Sequence, residues 1–152
     1  MTLHHDAVAD LLERETETTI ASWLSKVDAE ADIITVPLSA KDRCAHLPDM
    51  FHDIVTRLRP LPFGTCALMS DAAHDHGRIR RDQRYTAAMI VEESRMLQVS
   101  IFKTLQLHLD ELDSRVVLED VMIIADEVDS QLAQAMSSYL FEANNDAQPI
   151  KA

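Results

Sequence analysis

The sequence predicts an all-α fold, and three observations predict it. Only 2 of 152 residues are glycine, whereas β-rich folds spend glycine on hairpin turns and bulges. The stretch 81–112 contains neither Gly nor Pro. Apolar residues recur at threes and fours over most of the chain, the spacing of amphipathic helices. With 47% hydrophobic and 26% charged residues, the chain is apolar enough to fold, and its length fits one core. We therefore expect a single domain over 1–142 and a polar, aperiodic tail over 143–152.

From about Leu3 to Ala31, residues Val8, Leu11, Leu12, Thr19, Ile20, Trp23, Leu24 and Val27 give one helical stripe. Ile33-Ile34-Thr35-Val36-Pro37 ends it, because a β-branched run closed by proline resists helix. Ser39 followed by Asp42 resembles a capping box, and Cys44, Leu47, Phe51, Ile54, Val55 and Leu58 supply the inner face of a second helix ending near Arg59. Pro48 leaves two starts open for it: one at the cap, or one near His46 with 40–46 as a separate turn. Pro60-Leu61-Pro62-Phe63-Gly64 reads as a loop. Thr65 then caps a brief third helix that Gly77 stops.

The stretch 81–112 carries apolar residues on more than one stripe and reads as a long central helix packed on two sides. Asp113-Ser114 cap a long final helix over about Arg115 to Phe141. There Val117, Val121, Ile124, Val128, Gln131 and Ala135 alternate spacings of four and three, the pattern of a coiled-coil seam, and we expect them to form a homodimer seam.

The net charge of −12 repels the phosphate backbone and argues against nucleic acid as a partner. Cys44 and Cys66 have no CxxC partner and read as buried thiols. The first residues lack a basic segment followed by an apolar one, and no run reaches the ~18 apolar residues of a membrane span. A cytoplasmic protein without membrane contact is the expectation.

Three constellations are candidates for chemistry. His74-Asp75-His76-Gly77, with Asp71 one turn earlier, offers metal-type ligands, but residues two apart on a helix point about 200° from each other, so a shared ion requires the helix to have ended. His108, between Leu107 and Leu109, stands where a haem-binding bundle would place an axial ligand, and its competing reading is a half-buried core histidine. Arg78, Arg80, Arg81 and Arg84 form the one basic cluster, suited to an anionic ligand or to internal pairing with the acidic carboxyl-terminal part. Glu92 and Glu93 interrupt an apolar helix, and a buried carboxylate there needs a cationic partner, from this cluster or a neighbouring helix. No nucleophile motif or phosphate-binding glycine loop accompanies them. The chain is expected to be neither an enzyme nor dependent on a cofactor or metal.

The segment His76-Gly77-Arg78-Ile79-Arg80-Arg81-Asp82-Gln83-Arg84-Tyr85, followed by Glu93 and Leu97, resembles the HGxxRxxQGY…E…L pattern of the RsbRD amino-terminal domain family. This is an all-α sensory module found ahead of STAS or histidine-kinase domains in bacterial stress signalling. The resemblance extends from the first helix to about Tyr139 and is specific in the central stretch. It implies a bundle of four or five helices, globin-like without haem, and a homodimer acting in signal transduction. His76, Arg78, Arg81, Gln83, Tyr85 and Glu93 would form the face for a ligand or a partner. Arg84 stands where the pattern has glycine, which enlarges the basic cluster and removes the residue a tight turn prefers. No STAS domain or kinase core follows, so the output would pass to a partner chain, such as a kinase, STAS or anti-sigma type protein, or through a further segment. Two other readings stand beside this one: a metal- or haem-binding bundle using His74, His76 or His108, and a stand-alone adaptor whose acidic last helix docks a basic partner.

Overall fold

The computed structural model describes residues 6–59 and 70–146, with the side chains of 142–146 left aside. All regular structure among the described residues is helical. The helices are α1 (Asp6–Arg14), α2 (Thr16–Asp28), α3 (Ala40–Arg43), α4 (Leu47–Leu58), α5 (Asp71–Asp82), α6 (Ala87–Leu107) and α7 (Ser114–Asp146), with 3₁₀ turns at Ile33–Thr35 and Leu109–Glu111. No described helix is long and apolar enough to cross a membrane.

The expected first helix is two. The Thr16 hydroxyl donates to the Leu12 carbonyl at 2.9 Å and Thr19 to that of Glu15 at 2.8 Å. Such back-bonding bends a helix, and the break falls at Glu15. Ser39 caps the single turn α3 by accepting from the Asp42 amide, and Pro48 sits in the first turn of α4, where its missing N–H costs no bond. The proline-rich loop at 60–64 and the cap assigned to Thr65 lie outside the described residues.

Gly77 does not stop a helix. It lies inside α5, which Ser70 caps by accepting from the Ala73 amide. Its role is contact: a Cβ built on Gly77 would stand 1.9 Å from the Ala135 carbonyl oxygen, so the backbones of α5 and α7 touch there. Ser70 ties the start of α5 to both neighbours, its amide donating to Gln134 Oε1 and its hydroxyl to Asp53 Oδ2, each at 2.6 Å.

The expected central helix over 81–112 is also divided. Residues through Asp82 belong to α5, and Thr86 caps α6 by accepting from the Met89 amide. Between them the Tyr85 amide donates to the Arg80 carbonyl and the Arg84 amide to that of Arg81. These two bonds make a Schellman ending, whose left-handed residue is Arg84, at φ 69°. The turn forms without its glycine, and an L side chain there costs about 1 kcal/mol. Arg84→Gly is therefore expected to raise stability by about 1 kcal/mol, read as a higher denaturation midpoint with an unchanged slope; a lower midpoint would show that the arginine side chain contributes more than its backbone loses.

Helix α6 packs between α2 and α7 and also meets α1, while α7 runs against α4, α5 and α6. Trp23, Phe51, Ile54, Ile90, Ile101 and Ile124 are fully enclosed. This packing corrects the dimer seam. Ile124, Val128, Gln131 and Ala135 are buried in the chain's own core, the Gln131 amide donates to the Met50 carbonyl at 2.9 Å, and Val121 packs half-buried against the core cluster. Val117 is also half-buried. A four-three spacing reports an apolar stripe, and here α4, α5 and α6 cover it. Helix α7 also continues to Asp146, so the expected tail does not begin at 143; residues 147–152 lie outside the described ones. Two carboxylates of the acidic carboxyl-terminal part meet an arginine outside the basic cluster: Arg57 of α4 binds Asp126 and Glu127 of α7.

Candidate buried polar junction

Three inner stripes carry charge into the core. Helix α3 and the start of α4 place Arg43 four residues before Leu47; α5 places Arg80 on the stripe of Ala73 and His76; α6 places Glu93 between Ile90 and Leu97. Arg80 is 1% exposed and Glu93 3%. Burying either alone would cost several kcal/mol, so the pair must close. It does: Arg80 Nε donates to Glu93 Oε2 at 3.0 Å, and the other guanidinium nitrogens donate to Gln83 Oε1 at 2.7 Å and to the Arg43 carbonyl at 2.6 Å.

Arg43 completes a second layer. It donates to the Tyr85 hydroxyl and, at 2.9 Å, to the Val36 carbonyl. The Arg80 guanidinium lies 4.5 Å from the Tyr85 ring centroid, within cation–π range. Trp23 Nε1 donates to the Glu93 carbonyl at 3.0 Å, and Tyr139 donates its hydroxyl proton to the Tyr85 carbonyl at 2.8 Å. Five helices, α2, α3, α5, α6 and α7, thus converge on the join of α5 and α6.

Four of the six residues expected to form a binding face meet here: His76, Gln83, Tyr85 and Glu93. They do not form a face, because His76, Tyr85 and Glu93 are each under a tenth exposed. Arg78 and Arg81 point elsewhere: Arg78 is exposed, 3.9 Å from Asp75, and Arg81 lies over the Tyr139 ring and donates to its hydroxyl. Arg80, one of the basic cluster expected to offer a partner to a buried carboxylate, pairs with Glu93, whereas Arg43 and Trp23 belong to the cluster although sequence reasoning did not assign them to the site. Their signal was a cation, or an indole, on an otherwise apolar stripe.

His76 Nε2 stands 3.7 Å from Glu93 Oε2, beyond hydrogen-bond length. Burial lowers the His76 pKa below the ordinary 6.5, and Arg80 adds to this while Glu93 opposes it. The imidazole is therefore neutral at pH 7. Burial by itself would raise the Glu93 pKa, but His76, Arg80 and Tyr85 outweigh it and hold the carboxyl below 4.5. Burial and the Glu93 carboxylate push the Tyr85 phenol well above its usual range.

The pH dependence follows. Below about pH 6.5 the unfolded chain protonates its histidine while folded His76 does not, so stability is lost as pH falls from there toward the lower folded value. Glu93 adds stability above pH 4.5 that is lost below it, as pH falls through its folded value. The melting temperature should be level from pH 8 to 7 and decline below 6.5; His76→Gln should flatten the decline between 6.5 and 5 and leave that below 4.5. An equal slope in this variant would remove His76 as its source.

The three histidines considered as metal or haem ligands do not gather. His74 is exposed on the face of α5 away from His76. His108 ends α6, its Nδ1 2.9 Å from the Thr104 carbonyl oxygen, and fifteen residues of α6 put it roughly 22 Å along the axis from Glu93. No group of three His, Cys, Asp or Glu among the described residues is arranged to hold a metal ion. Cys44 is a free, half-buried thiol whose pKa burial raises; Cys66 lies outside the described residues. Comparison of the chain with protein-family models, with curated proteins and with solved structures returns no match.

Proposed function

We propose that this chain is a non-enzymatic regulatory domain of bacterial signal transduction, of the RsbRD amino-terminal type with a globin-like helical bundle. It acts as a homodimer that passes a signal to a partner such as a kinase or STAS protein. The observation that carries the reading is the Arg80–Glu93 pair at the join of α5 and α6. A core of this size is often more stable with apolar residues in place of a buried ion pair. A polar junction shared by five helices is instead the kind of element whose bonds a conformational switch would exchange. Dimerisation moves from the buried stripe of α7 to its outer one, where Leu118 is 68% and Met122 59% exposed.

Sedimentation and hydrogen exchange test this together. We expect a dimer at micromolar concentration that Leu118→Asp with Met122→Asp dissociates. Peptides across 71–97 should open without global unfolding, at least tenfold faster in Glu93→Gln. A monomer at all concentrations, with 71–97 protected to the limit of global unfolding in both proteins, would sink the reading. The adaptor reading has one observation in its favour, the exposed carboxylates Glu119 and Asp129 on α7, and predicts co-purification of a basic partner with monomeric protein.

A further inference from the structure

A cavity of about 20 Å³ lies between α2, α4, α5, α6 and α7, and His76, Glu93, Ser94, Val128 and Gln131 are among its lining residues. Its walls are mostly apolar, yet two buried acceptors on them receive no proton from the protein. Glu93 Oε1 has no donor, because Arg80 binds Oε2. Gln131 Oε1 has none either, because its amide group is turned to give both hydrogens away, to the Met50 carbonyl at 2.9 Å and to Glu127 Oε1 at 3.3 Å. Each such acceptor left bare costs about 1–3 kcal/mol. On the same cavity, His76 Nε2 stands 3.7 Å from Glu93 Oε2, outside direct hydrogen-bond length, so its ring nitrogen is left to another partner.

We infer that this cavity is a binding site for one internal water, which donates to Glu93 Oε1 and Gln131 Oε1 and accepts from His76. The size fits, since a single water needs roughly 10–15 Å³ of such space and two to four polar partners. The charge fits a neutral donor: Glu93 is already matched by Arg80 at 3.0 Å, so an ammonium ion would add an unbalanced buried cation. The bound water joins α5, α6 and α7 through His76, Glu93 and Gln131. This assignment does not depend on the regulatory reading.

The test is oxygen-17 relaxation dispersion of water in solutions of the full chain and of Val128→Leu, which adds a methylene at the cavity wall, with Gln131→Leu as a second variant that removes an acceptor at similar volume. We expect each folded variant to lose one long-lived water relative to wild type. If Gln131→Leu fails to fold, Val128→Leu alone decides. Equal numbers of long-lived waters in wild type and Val128→Leu, or a high-resolution crystal structure with the cavity dry or filled by an ion, would overturn the assignment.

Discussion

Gly77→Ala is expected to lower stability by about 3 kcal/mol or more, at or beyond the upper end of the roughly 1–3 kcal/mol usual for an overfilled core. The obstacle decides the size. A new Cβ would meet the Ala135 carbonyl oxygen, carbon and Cα, all within 2.8 Å, and backbone in a helix cannot turn aside as a side chain does. The sign is informative, because alanine in place of glycine at an exposed helical position gains about 1 kcal/mol. Chemical denaturation of Gly77→Ala, beside an exposed control such as Ala133→Gly, settles it. A midpoint equal to or above wild type would mean that α5 and α7 are not in backbone contact at this point.

Glu93→Ala is expected to cost about 3–5 kcal/mol, the range for removing one partner of a buried ion pair. Arg80, 1% exposed, would keep its charge with only neutral groups, Gln83 and the Arg43 carbonyl, to receive its protons. The damage should be shared with the partner: Arg80→Met combined with Glu93→Ala should cost at least 2 kcal/mol less than the two single changes added together, since the double variant removes the charge that either single change leaves without its partner. Additive losses in the denaturation cycle would show that each residue acts through its packing alone.

Much of the architecture was legible in the sequence where a local rule has a single outcome. Ser39 and Asp113 cap helices, the latter accepting from the Arg115 amide at 2.9 Å, Pro48 occupies a first turn, and the last helix is long. The misreadings come from residues whose local preference is overridden by packing. Gly77 looks like a stop because glycine disfavours helix, and the Ala135 contact that it permits is made by a residue 58 positions further on. The run at 81–112 looks unbroken because the chain turns at Arg84 without a glycine. The stripe of α7 looks like a seam because periodicity reports burial and is silent about what does the burying. The polar junction was half visible for the same reason: Glu93 stood out as a carboxylate on an apolar stripe, whereas Arg43 lay in a single turn too short to show periodicity.

The backbones of α5 and α7 touch at Gly77 and Ala135, and a contact at one point has a mechanical consequence. Helix α7 is 33 residues long, roughly 50 Å at 1.5 Å per residue. The contact point, Ala135, lies about two thirds of the way along it. A tilt of about 5° at that point would carry the Ser114 end, roughly 30 Å away, through about 3 Å. A small displacement beside His76, the neighbour of Gly77, would therefore be larger at the far end of α7, beside Leu118 and Met122.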